Sequence, residues 1–207
     1  MRTLTSEEIK ALEQNHCISQ DWQQITVSED FAASNIYNVE FIGKCQIGAM
    51  NGTLNNDIGI DAPAGIHNAR IINSTIGDNC LIENITGFIF NCDIKDRCLI
   101  NNVSTIQTTE GTSFGQGNTI SVLNEAGDGN VVLFSGLTSQ IAALTALPPC
   151  LGEQFEEDDS SIEKRRQAKE AVRRMVMEEV MRTIPKRSLI ESNVRIQNTT
   201  EITNCWI

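Results

Sequence analysis

The sequence predicts an all-β solenoid with added helices: a single-stranded parallel β-helix of hexapeptide repeats with an N-terminal helical cap and a C-terminal helical hairpin. Three observations carry that reading. Ile76, Ile82, Phe88, Ile94, Ile100 and Ile106 recur at every sixth position without a slip. The segments beginning at Ile76 and Ile94, IGDNCLIENITGFIFNCD and IKDRCLINNVSTIQTTEG, align with Cys80 over Cys98 and Asn84 over Asn102, so three hexads make one coil. A phrase returns as IYNV at Ile36, IHNA at Ile66, IENI at Ile82 and INNV at Ile100. No single coil of such a repeat buries its own apolar face, and stacking supplies a continuous core.

Taken in order, the chain begins with a helix start. Thr5 is placed to cap, Glu8 three residues on completes a capping box, and Leu4 can staple onto Ile9. The helix is expected to run to about Gln14, with a further turn over Ser19 to Gln24 that lets Trp22 bury. Residues 1–30 read as a cap over the open solenoid end. Residues 31–136 read as the β-helix, five to six coils or about 25 Å of stack at the strand spacing. Loops interrupt its register near Asn51 to Asp57 and Asp61 to Gly65. Residues 137–185 change to helical period. Thr138 or Ser139 caps a helix carrying Ile141, Leu144 and Leu147, which Pro148 and Pro149 end. An acidic loop follows, and a longer helix from Ser160 to Thr183 carries Ile162, Val172, Met175, Val176, Val180 and Met181 as one packing face. At Ile190, Ile196 and Ile202 the six-residue beat returns, so residues 188–207 form a further coil. Either the helical part is an insertion and this coil rejoins the first stack, or the chain opens a longer solenoid.

The side chains set bounds on chemistry. Acidic residues outnumber basic ones by 27 to 16. An acidic β portion repels phosphate backbones and anionic membrane surfaces, so neither nucleic acid nor membrane is expected as a partner. MRTLTSEEIKALEQ has no basic and apolar leader pattern, and no stretch approaches a membrane span. Asn73, Asn84 and Asn102 open N-x-S/T sequons, which matter only in a secreted chain. Seven Cys form no C-x-x-C pair and only two His accompany them, so no metal is expected. Cys80, Cys92 and Cys98 share the fifth place of their hexads, where a small inward residue fits. Reduced core thiols point to the cytoplasm. The Asn at the third place of each phrase (Asn38, Asn68, Asn84, Asn102) reads as a stacked amide ladder, with a ligand-binding row as the alternative.

His67 is the one His inside the repeat region, outward-facing in the second place of its phrase, and is the candidate general base. Asp57, Asp61 and Glu83 are candidates to orient it. His16, at the end of the first helix, more naturally meets that helix terminus. Gly115, Gly117 and Asn118 offer backbone N–H groups for a phosphate, without a following Walker lysine. Asn124 and Glu125, with Asp128, offer oxygens for a sugar or cation, against a plain turn-forming role. Arg165, Lys169 and Arg173 stand four apart and offer a phosphate or acidic partner a face, against a solvated stripe paired with nearby acids.

The hexads IGDNCL and IKDRCL resemble the left-handed β-helix of hexapeptide-repeat acyltransferases and of the acetyltransferase half of bacterial glucosamine-phosphate uridyltransferases. The start LTSEEIKALE, the phrase IYNVEFIG and the run SFGQG, SVLNEAG and LTSQIA are similar to a family of large cytoplasmic Bacteroidota proteins described as sugar-nucleotide pyrophosphorylase-like. That likeness spans most of residues 1 to 145, and AALTALPPC departs from it. The left hand, a homo-oligomer (a trimer), acyl-CoA as cofactor and a sugar-nucleotide or acyl acceptor are what the resemblance implies, and His67, the one His of the repeat region, is the candidate for the general base such acyltransferases use. The competing expectation is a non-catalytic scaffold whose helices assemble an oligomer or recruit a partner.

Overall fold

In the computed structural model, residues 1–55, 59, 61–122, 129–146, 159–184 and 186–207 are described. Its strands are β1 (Arg2–Thr3), β2 (Ile18–Ser19), β3 (Ile25–Val27), β4 (Ile36–Ile42), β5 (Cys45–Ile47), β6 (Thr53–Asn55), β7 (Asp61–Pro63), β8 (Gly65–Ile72), β9 (Thr75–Ile76), β10 (Leu81–Phe90), β11 (Cys92–Ile94), β12 (Leu99–Gln107), β13 (Thr119–Val122), β14 (Gly129–Val132), β15 (Ser188–Ile190) and β16 (Arg195–Thr203). The helices are α1 (Ser6–Gln14), α2 (Ser139–Ala146) and α3 (Asp159–Thr183).

The chain divides into two compact units, one of residues 1–112 and 186–207 and one of residues 113–185. In the first, one six-stranded sheet runs β16-β12-β10-β8-β4-β2 and a second runs β1-β3-β5-β9-β11-β15. The former is parallel throughout, whereas β1 meets β3 antiparallel at the edge of the latter. Both sheets contribute to a single apolar cluster.

The six-residue beat becomes columns of matched aliphatics, except that Ile89 rather than Phe88 takes the buried place opposite Ile106. Ile36 pairs with Ile66, Ile66 with Ile82, Ile82 with Ile100 and Ile100 with Ile196. Further along the same strands Phe41, Ile71, Ile89, Ile106 and Ile202 form a second column, and Ile47, Ile76, Ile94 and Ile190 a third in the other sheet. Nearly all of these side chains are fully buried, as parallel strands covered on one face require. Cys17, Cys45, Cys80, Cys92 and Cys98 are also buried, and every described Cys is a free thiol. Burial pushes the Cys92 thiol up to about 12.

This corrects the expected fold class. Among the described residues the structure is a multi-sheet assembly with two six-stranded sheets, two two-stranded antiparallel ribbons and three α-helices, not the expected all-β solenoid or left-handed parallel β-helix. The physical reason lies in the Asn phrases. Repeat spacing reports which side chains point inward, but not how many sheets share them. Pairing resumes on the far side of the Asn of each phrase, which is itself skipped in the register and turns with positive φ, so two expected sides join in one sheet whose five long strands run seven to ten residues. Antiparallel pairs β1–β3, β6–β7 and β13–β14 also depart from any one-directional stack.

At the N-terminus the expected capping box forms. Thr5 accepts from the Glu8 backbone N–H at 3.2 Å while the Glu8 carboxylate accepts from the Thr5 N–H at 2.8 Å. Trp22 packs on the core with its ring 6.3 Å from that of Phe41. Residues 1–30 nevertheless carry three strands besides α1. The parallel strands of the β portion end at Gln107 rather than near residue 136. After the excursion to residues 113–185, β15 pairs with β11 and β16 with β12, so the helical part is an insertion.

In the second unit β13 and β14 form an antiparallel ribbon, and Thr138 caps α2 by accepting the Ile141 N–H at 3.3 Å. Val132, Val176 and Val180 make a small core with Phe134, Ile141, Val172 and Ile184. Met175 and Met181, expected on the packing face of α3, are instead exposed, because the buried row follows the i, i+4 series from Val172. The side chains of Ile162, Arg165 and Lys169, like residues 147–158, lie outside the described residues.

Candidate functional site

Strand alternation aims every second residue of the parallel sheet outward, so with Ile66 buried its neighbour His67 faces solvent. Register then builds a row across the sheet: Tyr37, His67, Glu83, Asn101 and Gln197. Within it His67 Nδ1 lies 3.2 Å from Glu83 Oε1, and Asn101 Nδ2 donates to Glu83 Oε2 at 3.3 Å. The His67 and Glu83 side chains are 29% and 30% exposed, which leaves them reachable yet partly sheltered. Gly65 makes room for the ring, since a Cβ there would meet the Asn35 carbonyl and lie 2.8 Å from His67 Nε2. In the tautomer that donates Nδ1–H to the carboxylate, Nε2 carries the lone pair a general base uses.

Of the three orienting candidates, Glu83 reaches His67. Asp61 instead accepts from Asn55 Nδ2 at 3.0 Å on the β6–β7 ribbon, and Asp57 is outside the described residues. His16 sits just past the α1 C-cap with φ 61° and sets its ring edge-on to Tyr37, centroids 5.5 Å apart. Asn101 and Tyr37 escaped the sequence reading. Their one signal was the shared place after a lead aliphatic, which acquires meaning only once register is known.

The glycine candidates belong to the second unit. Gly115 and Gly117 adopt φ 80° and 82°, but Gly117 N–H donates to Leu133 O at 2.7 Å and Asn118 N–H to Gly115 O at 3.4 Å. Those donors already serve the turn and its neighbouring strand. Asn124, Glu125 and Asp128 lie outside the described residues. Among the described residues no group of three His, Cys, Asp or Glu gathers as metal ligands, and no helix is long and apolar enough to cross a membrane.

The Asn ladder is real. Asn38 Nδ2 donates to Asn68 Oδ1 at 2.9 Å, Asn68 to Asn84 at 3.2 Å, and Asn102 to Asn198 at 2.7 Å, while Asn84 turns to Asn101 at 3.5 Å. All five ladder residues from Asn38 to Asn198 have φ between 52° and 57°. Beyond this bend, on the same sheet, lies an open groove of about 470 Å³.

The profile of a family described as Domain of unknown function (DUF4954) matches residues 1–207. An uncharacterized protein of Treponema pallidum (strain Nichols) is 30% identical over 158 residues, 70% of this chain and 21% of the relative. The chain thus spans about a fifth of that relative's length. No solved structure matches. These findings correct the expected resemblance, since neither description places the chain among hexapeptide-repeat or sugar-nucleotide pyrophosphorylase-like proteins.

Proposed function

The chain belongs to the DUF4954 family, and from the geometry of this member we propose a transferase-like protein that binds or acts on a sugar nucleotide or an acyl-CoA. In this reading His67 takes the proton from an acceptor hydroxyl or amine. The observation that carries it is the 3.2 Å contact of His67 with Glu83, itself held by Asn101. A His aimed by a carboxylate that a third group orients is the arrangement proton transfer needs. The setting is reducing and cytoplasmic, which the free thiols support, and the assembly is a homo-oligomer, a trimer. The test is a transfer assay with nucleotide sugars and acyl-CoAs. His67→Ala should lower kcat by about 10²–10⁴-fold and Glu83→Gln by a smaller factor. An active protein indifferent to His67→Ala would refute the assignment.

The second reading is a non-catalytic scaffold. Exposed Met175, Met177 and Met181 on α3 favour it, because adaptable Met side chains suit partner surfaces. Absence of turnover with a stable oligomer that loosens when these residues become Lys would select it.

A further inference from the structure

We propose that the groove beyond the Asn bend is a binding site for a neutral, hydroxyl-rich ligand, a short oligosaccharide. The inference is independent of proton transfer at His67.

The groove is lined by Asn38, Asn68 and Asn84 along one wall, with Glu40, Arg70 and Thr86 among its other polar groups. Asn38 and Asn68 each commit one Nδ2–H to the next Asn along the ladder and Asn84 commits one to Asn101, and each amide keeps its second. A planar amide offers a donor and an acceptor side by side, which matches two adjacent hydroxyls of a sugar ring. The ladder repeats that pair at the strand spacing of about 4.8 Å, so successive sugar units meet the same chemistry.

Charge argues against an anionic ligand. The Arg70 guanidinium is already paired with Glu40 inside the groove, so the site is locally neutral while the chain carries a net charge of −11. The pair still presents planar donors and acceptors to hydroxyls. The floor supplies apolar patches for the C–H faces of a ring, since Ala69 and Ile85 are nearly buried there and Ile18 is 59% exposed at the side.

The groove also has a cause in the sequence. Between Ile85 and Phe88 the register of β10 shifts against β12. Gly87 sits in that bulge, where a Cβ would lie 2.7 Å from Thr105 Oγ1 and 2.8 Å from Ser104 O. Bulges re-aim side chains beside binding sites, and this one turns Thr86 and Gly87 to the groove. A smaller recess of about 240 Å³ shares Thr86 and continues past Asn102 and Asn198, extending the polar track along the ladder.

The experiment is a titration of the full chain with maltohexaose, cellohexaose and chitohexaose, followed by amide chemical shifts, with UDP-glucose and acetyl-CoA as charged comparators. The expected result is saturable binding of one neutral oligosaccharide, with shifts centred on the three Asn side-chain amides. Thr86→Arg should abolish it by filling the groove. Asn68→Gly, which keeps the left-handed backbone but removes the amide, should weaken it at least 10-fold with the fold intact by circular dichroism. No saturable binding of any of the three at millimolar concentration overturns the proposal, as does binding that survives Thr86→Arg or is confined to the charged comparators. Because the readout is binding, lack of turnover bears on His67 alone and lack of binding on the groove alone.

Discussion

Asn84 holds a left-handed backbone, φ 57°, that ordinary L-residues reach only at a cost of roughly 1–2 kcal/mol. Its amide accepts from Asn68 in the ladder and donates to Asn101 beside it, each hydrogen bond worth about 0.5–1.5 kcal/mol net. Asn84→Ala should therefore lower stability by about 2–5 kcal/mol, and Asn84→Gly by less, since glycine accepts the conformation. Denaturant melts of the two variants give the comparison, and equal losses would mean the backbone term is negligible. The amide ladder was legible from the phrases alone, but its reason was not. Spacing showed that Asn68 stacks on Asn38 and gave no sign that both turn the chain with positive φ. The same limit hid the groove, because Glu40 and Arg70 stand thirty residues apart and meet only through register.

At the scale of elements, α1 is tied to the β1–β3 edge by one carboxylate. Glu8 accepts from Arg2 at 2.7 and 2.8 Å and from the Thr5 backbone, and Arg2 hydrogen bonding, aided by that cap, holds its carboxyl at about 2, against an ordinary 4.5. A carboxyl lowered in the folded state stabilises it fully above pH 4.5, and the contribution fades as pH falls towards 2. Stability measured from pH 6 down to pH 2 should drop across that window, and Glu8→Gln should flatten that part of the loss. An unchanged acid limb in the variant would mean other carboxylates govern it. The capping box was legible because capping is local in sequence. The fate of α3 was not. Its apolar residues fit more than one helical face, and the Val132 ribbon decided which became the buried one.

At the scale of the molecule, the two stretches of chain that flank the insertion are hydrogen-bonded to each other within the first unit. Thr108 Oγ1 accepts the Ser188 N–H at 2.6 Å and lies 2.8 Å from Ser188 Oγ, and the Thr109 N–H reaches Asn204 Oδ1 at 2.8 Å. Replacing residues 113–185 by a short Gly/Ser linker should leave a cooperatively folding β protein, with the helical circular dichroism signal reduced to that of α1. A molten or aggregated product would show that the insertion is required for the sheets to form. The return of the beat at Ile190 announced this closure. The loss of parallel pairing after Gln107 was marked only by the lapse of the beat into a Gly- and Asn-rich run, in which Ile120, Val131 and Val132 suit a ribbon as well as a stack.

The split of the first unit also sets a timetable. Partners such as Arg97 and Asn193 are 96 residues apart. At about 5–20 residues per second a ribosome needs roughly 5–20 s to deliver the second after the first. Through that interval Leu99–Gln107 stands as a bare edge with its column of Ile and Val uncovered. The nascent chain is therefore most adhesive shortly before β15 and β16 emerge, and a chaperone acting during synthesis has that window in which to shield it.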